Sequence, residues 1–166
     1  MKDSAIDIAG YVPGSIGRVT EMHAKYYSEN WGFDLFFEAK VASGLSEFLG
    51  RLDESRDGFW TALSKKRVVG SIAIDGSVAK SDGAHLRWFI TDGEWRGHGL
   101  GHLLLKKALD FSSGAGHRRI YLWTFFGLDP ARHLYEKFGF RLVEEHMGMQ
   151  WGKEVKEQKF QLDIQF

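Results

Sequence analysis

A short run of glycines follows a strand-like stretch near the middle of this 166-residue chain. Residues 85–91 are rich in β-branched and aromatic types, which predicts a strand. Asp92-Gly93 marks a turn, and residues 96–101 (RGHGLG) lead into an amphipathic helical pattern. Glycine lets a backbone approach a ligand closely, and a helix start offers unpaired N–H groups with partial positive charge. The stretch therefore has the chemistry to bind a phosphate, with Arg96 at its rim.

The spacing of these glycines excludes two common phosphate loops. The chain has no GxxxxGK[ST] sequence, so it is not a P-loop nucleotidase. A dinucleotide-binding turn has the spacing GxGxxG at the start of a βαβ unit, with an acidic residue about 20 residues further on. Gly97, Gly99 and Gly101 alternate instead and lie past the middle of the chain. An ordinary glycine-rich turn is the alternative that the residues leave open.

The composition narrows the classes of partner. Hydrophobic residues make up 43% of the chain and charged residues 27%, and the formal net charge is zero, so we expect a globular protein without a nucleic-acid partner. No apolar run approaches the roughly 20 residues that span a bilayer, and we recognise no signal peptide. We therefore expect a cytoplasmic protein with no membrane partner. The absence of cysteine excludes disulfides and a cysteine acyl-enzyme, and the histidines show no metal-ligand spacing, so no metal is expected.

Hydrophobic periodicity predicts the element order β α α β β β α β α β β in one domain over residues 1–166. Ser15 is the expected N-cap of the first helix and Asp129 of the last, which should stop at Gly139. The final strand is predicted from the alternation of Phe160, Leu162, Ile164 and Phe166 with polar residues. The predicted strands are residues 6–12, 59–63, 68–74, 85–91, 119–125, 141–146 and 159–166, and the first two helices are residues 15–27 and 35–52.

Two motifs carry a family resemblance. The sequence Arg-x-x-Gly-x-Gly after a strand resembles the acetyl-CoA signature of the GNAT N-acetyltransferase superfamily. Residues 131–140, ARHLYEKFGF, look like the helix and exit of the same family. Together with the strand that connects them, the two motifs cover residues 84–140, about a third of the chain. Residues 119–145 are also similar to GNAT domains fused behind MarR-type regulators. No helix-turn-helix segment is evident, so we expect a free-standing domain.

The resemblance implies an α/β fold of the α+β GNAT type. It would have a mixed, mostly antiparallel central sheet of about seven strands, with helices on both faces. The sheet would be splayed between the strands at 85–91 and 119–125. Acetyl-CoA is the implied co-substrate, and its pantetheine arm would pair with Phe89, Ile90 and Thr91, opposite residues 123–125. The residues implied to hold its pyrophosphate are Arg96, Gly97, His98, Gly99, Leu100, Gly101 and His102.

The implied reaction is direct attack of a primary amine on the thioester in a ternary complex. Tyr135 matches the tyrosine that protonates the departing thiolate in this family; a purely structural role is the alternative, because Tyr135 shares a helix face with Leu134 and Phe138. His85 stands where family members often carry a Glu that acts as the general base, so the resemblance implies that His85 is the base. The alternative is that His85 is a solvated residue at a strand end. Strand alternation predicts that His85, Arg87, Phe89 and Thr91 share one face.

The acceptor site is implied to include Tyr26, Tyr27, Trp31 and Trp123. This aromatic, mostly neutral wall would suit an apolar or aromatic amine better than a polycation, although simple packing of two helices explains the same residues. The acceptor could be a small-molecule amine or a protein amine. A homodimer is compatible with the sequence, which does not determine the oligomeric state.

One departure from the family pattern favours a second function. Many members carry Asn three residues before the first Ala of the last helix, where this chain has Leu128. The contacts of that Asn must be absent or replaced, with Asp129 as the candidate. Together with the missing strand Glu, this departure leaves open a catalytically weak CoA-binding sensor or regulatory module. A nucleic-acid module is a third alternative, which the zero net charge opposes.

Overall fold

The computed structural model of the protein describes residues 5–165. Its helices are α1 (Ser15–Trp31), α2 (Leu35–Gly50), α3 (Leu100–Gly114) and α4 (Asp129–Lys137), with a short 3-10 turn at Gly93–Trp95. Its strands are β1 (Asp7–Ala9), β2 (Gly58–Ser64), β3 (Arg67–Asp75), β4 (Ala84–Thr91), β5 (Arg119–Phe125), β6 (Arg141–Gly148) and β7 (Val155–Asp163). The predicted order of elements is therefore confirmed.

Within the described residues, seven strands form one sheet in the order β1-β2-β3-β4-β5-β7-β6. Neighbouring strands are antiparallel except for β4 and β5, which run parallel. Buried apolar side chains of α3 cover one face of the sheet, such as Leu104, which belongs to the same core cluster as Ile120 and Phe160. Val19 of α1 and Phe48 of α2 belong to the cluster on the other face. The predicted mixed sheet with helices on both faces is thus confirmed.

The parallel pair β4 and β5 is joined only at its beginning. The paired residues are Ala84 with Ile120 and His85 with Tyr121, although the strands are 8 and 7 residues long. Beyond His85 the two strands diverge, which confirms the predicted splay. The divergence leaves the main-chain groups of β4 on this side available to a ligand.

A β-bulge in β4 changes the direction of its side chains. Arg87 pairs with Ala73 and Ile90 pairs with Ser71, so two residues of β4 stand opposite a single residue of β3. Trp88, inside the bulge, has a φ of 47°, a left-handed conformation that is rare for a bulky residue. Such a bulge bends the strand and redirects the side chains that follow it.

The bulge overturns the prediction that His85, Arg87, Phe89 and Thr91 share one face. Phe89 packs against the core cluster beneath α3, as Leu86 does. Arg87 and Trp88 lie instead against α2, where their side chains are the nearest atoms to Gly44. Simple alternation fails here because the extra residue shifts every later side chain to the opposite face.

Several element ends differ from the predictions. The N-cap of α1 is Gly14, and the Ser15 hydroxyl donates to Val12 O at 2.6 Å instead of capping the helix. The N-cap of α4 is Leu128, with Asp129 as the first helical residue. The strand predicted at 6–12 is shorter, because β1 pairs with β2 over three residues only.

The end of α4 agrees with the predicted stop. Gly139 has a φ of 98°, and the Phe140 N–H donates to Tyr135 O at 3.0 Å, which closes the last turn. β7 begins earlier than predicted, at Val155, because it pairs with β6 from Val155 onward and with β5 from Glu157 onward. Phe166, the last residue of the predicted alternation, lies outside the described residues.

Candidate functional site

A cavity of about 510 Å³ lies where β4 and β5 diverge, and residues of all four helices line it. Trp123, Thr124 and Phe125 line it from β5. Of the ten residues predicted to bind the cofactor, His98 is exposed and does not line the cavity. The nine that do are Phe89, Ile90, Thr91, Arg96, Gly97, Gly99, Leu100, Gly101 and His102.

The glycine turn presents main-chain N–H groups at one end of this cavity. Gly97 and Gly99 have φ angles of 77° and 81°, which glycine adopts without strain. Gly99 is the N-cap of α3, and the first helical hydrogen bond runs from Leu103 N to Gly99 O at 3.0 Å. The N–H groups of residues 100–102 therefore lack helical partners, which is the arrangement that favours an anion.

Arg96 is held over an aromatic ring beside the turn. Its guanidinium carbon lies 4.0 Å from the centre of the Tyr26 ring, and Nη2 donates to Thr91 O at 3.2 Å. Tyr26, which the resemblance assigned to the acceptor, therefore lies at the glycine-turn end of the cavity. Arg18 of α1 fixes the same region through Asp92, with Nη2 2.5 Å from the carboxylate.

Tyr135 of α4 is buried in the wall of the cavity. Its ring centre lies 6.1 Å from that of Phe89 and 5.8 Å from that of Phe140. Within residues 5–165 its hydroxyl makes no hydrogen bond. Burial raises the pKa of this hydroxyl, so the group keeps its proton at neutral pH. Tyr135 thus combines a packed ring with an uncommitted O–H donor.

His85 is partly buried and stacks on a neighbouring aromatic ring. The ring centres of His85 and Tyr121 are 4.5 Å apart, with an angle of 13° between the planes. Burial, and then the positive charge of Arg87, lowers the pKa of His85 to about 3. The imidazole is therefore neutral at pH 7.

A second neutral histidine, His23 of α1, also lines the cavity. Its Nδ1 lies 2.8 Å from Val19 O, and because a carbonyl only accepts, Nδ1 carries the proton and Nε2 the lone pair. Burial lowers the pKa of His23 to about 4. The resemblance implied that the first helix lines the acceptor site, and His23 belongs to that helix.

The acceptor residues expected from the resemblance separate in the structure. Tyr27 and Trp123 line the cavity, whereas Trp31 does not. Trp31 packs behind the wall, with its ring centre 5.7 Å from Tyr27 and 5.2 Å from Phe125. Lining residues that the sequence did not indicate include Lys40, Arg87, Trp88, Gln150 and Trp151.

The replacement for the family's Asn is not found at Asp129. Leu128 is buried and lines the cavity at the start of α4, while Asp129 is exposed and does not line it. The Leu128 side chain has no polar group that could cap the helix. The polar contacts of an Asn at this position are therefore absent.

Neither a metal centre nor a membrane span is found in residues 5–165. No three His, Asp or Glu side chains there are grouped so that they could hold a metal ion. No helix in the same range has both the length and the apolar character needed to cross a membrane.

The Acetyltransferase (GNAT) family matches residues 16–140 of the chain. The chain therefore belongs to this family, which confirms the resemblance drawn from the two motifs. An uncharacterized N-acetyltransferase of Methanocaldococcus jannaschii is 27% identical over 135 residues, which are 79% of this chain and 59% of that protein. The chain thus spans less than two thirds of the length of this relative.

Solved structures share the fold. A GNAT-family acetyltransferase of Staphylococcus aureus superimposes with a TM-score of 0.76 at 20% identity, covering 97% of this chain and 100% of that one. A putative acetyltransferase of Salmonella typhimurium, solved with its cofactor acetyl-CoA, gives a TM-score of 0.75 at 14% identity, covering 96% and 94%.

Proposed function

We propose that the protein transfers an acetyl group from acetyl-CoA to a primary amine by direct attack in a ternary complex. The observation that carries this proposal is a single cavity with two kinds of groups. At one end are the uncommitted N–H groups of the glycine turn, and the Tyr135 hydroxyl lies in the wall between β4 and α4. Family membership and the acetyl-CoA bound to the Salmonella protein support the choice of donor.

The glycine turn suits the pyrophosphate of acetyl-CoA. A Cβ built on Gly97 or Gly99 would meet no other atom within 4 Å, so the space above the turn is open. The free edge of β4 beyond His85 suits an extended arm that pairs with main-chain groups of Phe89, Ile90 and Thr91. The proposed cofactor set is completed by Arg96, whose guanidinium adds charge at the rim.

The proton transfers can be assigned to groups of this chain. The amine nitrogen attacks the thioester carbon, the C–S bond breaks, and the thiolate takes the proton of the Tyr135 hydroxyl, which the phenolate regains from solvent before the next turnover. The attacking nitrogen must also lose a proton, which we propose passes to water next to His85. A ring with a pKa of about 3 holds a proton weakly, so we propose that His85 accepts a hydrogen bond and relays the proton to water.

The acceptor would lie beside Tyr27 and Trp123, and it is either a small-molecule amine or a protein amine. A cytoplasmic location, a single domain over residues 1–166 and a homodimer remain predictions. The sensor alternative is favoured by one observation, namely that Leu128 lines the cavity without the polar contacts of the family's Asn.

The test measures binding and turnover separately. Acetyl-CoA should raise the melting temperature, because a ligand that binds the native state stabilises it. Release of the CoA thiol with a broad amine panel should exceed hydrolysis without amine. A clear melting shift with no turnover of any amine would instead support the sensor. Absence of the melting shift would contradict both functions.

A further inference from the structure

Two cationic side chains line the cavity away from the glycine turn. They are Lys40 of α2 and Arg87 of β4, and no Asp or Glu of the described chain lines the cavity with them. Thr91 lies four positions after Arg87 along β4, which corresponds to roughly 13 Å of strand. The two cations are therefore distinct from the phosphate cradle, which has its own cation in Arg96.

Arg87 is incompletely neutralised. Its guanidinium stacks on the Trp88 ring at 4.0 Å, and its one ion pair is a long contact from Nη1 to Asp75 Oδ2 at 3.4 Å. The same oxygen of Asp75 receives a shorter bond from Arg51 at 2.8 Å. Most of the N–H donors of Arg87 thus have no partner within residues 5–165, and burial lowers its pKa, which means that its charge is poorly compensated.

Lys40 is in a similar position. Its Nζ donates to Gln150 O at 2.5 Å, a neutral group that leaves its charge unpaired. The nearby Glu157 is buried and already accepts hydrogen bonds from the Gln150 N and Nε2 atoms at 3.0 and 2.7 Å. Burial, and then the charge of Arg87, lowers the pKa of Lys40. Lys40 and Arg87 therefore repel each other, and the carboxylates of Glu157 and Asp75 behind the wall offset their charges only in part.

Gly44 permits this arrangement. It lies one helical turn after Lys40, and a Cβ there would come within 3.3 Å of the Trp88 ring and 3.4 Å of Arg87 Nη2. The stacked guanidinium is planar and fixed, so the open edge of its fork matches the two oxygens of a carboxylate. The remaining wall carries aromatic side chains, including Tyr27, Trp123 and Trp151.

We propose that Lys40 and Arg87 bind a carboxylate of the acceptor, so that the acceptor is an amine that carries a carboxylate, of the amino-acid class. This inference rests on the proposed acetyl transfer and deepens it. It also modifies the expectation of a neutral acceptor wall, because the aromatic side chains hold the rest of the acceptor while the two cations hold its charge.

The experiment compares matched acceptors that differ only in the carboxylate. Phenylalanine and phenethylamine form one pair, and leucine and isopentylamine form the other. We expect kcat/KM to be about 10- to 100-fold higher for the amino acid of a pair, as for a hydrogen-bonded charge. Because the amino groups differ in pKa, kcat/KM is calculated from the concentration of unprotonated amine, at a pH that leaves Lys40 charged.

Two variants test the residues. Arg87→Gln should bring the ratio of kcat/KM between the amino acid and the decarboxylated amine of a pair close to one, whatever the substitution does to the rate that both acceptors share. Lys40→Gln changes an exposed side chain, so it should fold even if Arg87→Gln does not, and it should weaken the same preference by about 10-fold. The inference would be overturned if either variant lowered kcat/KM equally for both acceptors of a pair. It would also be overturned if the wild-type protein preferred the decarboxylated amine.

Failure of the inference differs from failure of the proposed function. If amines without a carboxylate are acetylated best, the transferase remains and the carboxylate site is wrong. If no amine turns over, binding of phenylalanine to the CoA-loaded protein is measured by its melting shift. A shift that Lys40→Gln reduces supports the carboxylate site, whereas no shift overturns it.

Discussion

The two ends of the cavity are built from different parts of the chain. The glycine-turn end is made of consecutive main-chain groups between Arg96 and His102, whose geometry depends on two left-handed glycines. The other end, where we propose that the acceptor binds, is made of side chains such as Tyr27, Arg87 and Trp151, which come from distant elements. Binding at the glycine-turn end should therefore depend on the backbone conformation, whereas binding at the other end should depend on which side chains are present.

The largest expected effect breaks the backbone end. Gly99→Val places a β-branched residue at a φ of 81°, which costs about 1–3 kcal/mol and displaces amides worth about 1.5–3 kcal/mol against an anion. Acetyl-CoA should bind about 1,000-fold more weakly in a titration. Gly99→Asn is the matched control, because Asn tolerates this conformation and should retain most of the affinity. Equal binding by Gly99→Val and the wild type would remove the turn from the site.

Tyr135→Phe tests the chemistry between the two ends. The ring keeps its packing against Phe89 and Phe140, and only the O–H donor is lost. We expect kcat and kcat/KM to fall together by about 100-fold, the lower end for general acid catalysis, because a thiolate is already a fair leaving group. The acetyl-CoA melting shift should survive. Turnover at the wild-type rate, with chemistry rate-limiting, would leave Tyr135 a structural residue.

His23 makes the acceptor side of the molecule sensitive to acid. Its pKa is about 4 in the folded protein against 6.5 in the unfolded chain, so the unfolded state binds more protons between these values. The stabilisation is complete above pH 6.5 and is lost as the pH falls toward 4. We expect His23 alone to lower the free energy of unfolding by about 2 kcal/mol between pH 7.5 and pH 5.

Urea titrations at both pH values measure this effect, with His23→Phe as the comparison. The phenylalanine ring fills the same space and cannot take a proton, so its stability should depend less on pH by that amount. An identical pH dependence in both proteins would show that His23 is not held neutral by the fold.

The smallest expected effects come from two substitutions, one at each end of the cavity. Trp123→Ala removes part of the acceptor wall and should raise the KM for the amine about 10-fold while the KM for acetyl-CoA stays constant. Arg96→Gln should do the reverse, because it removes a charge at the glycine-turn end. Initial rates with each substrate varied in turn provide the test. Parallel changes in both constants for either variant would mean that the two ends are not separate sites.

The sequence predicted the backbone end far better than the side-chain end. The glycines and the α4 motif are contiguous, so their residue types carry the local geometry, as Gly139 does at the end of α4. Nothing in the types of β4 indicated that Trp88 would adopt a positive φ, because bulky residues rarely do so. Phe89 was therefore assigned to the wrong face.

Long-range contacts explain the other misses. Trp151 follows β6 and reaches the cavity only because β7 returns beside β5, which brings its ring centre 5.5 Å from that of Phe125. Trp31 is also a tryptophan, and it lies on α1, the helix that the resemblance assigned to the acceptor site. It nevertheless packs behind the cavity wall. Local spacing cannot distinguish these two tryptophans, because their exposure is decided by elements far away in sequence.

The bulge at Trp88 divides β4 into two segments whose side chains face different parts of the molecule. Before it, His85 and Arg87 face the acceptor side; after it, Phe89 faces α3 beside the glycine turn. Under the proposed function, substitutions before the bulge would alter which amine is preferred without touching the segment proposed to meet the donor. A single irregular residue would thereby let amine preference vary while the proposed cofactor-binding segment stays the same.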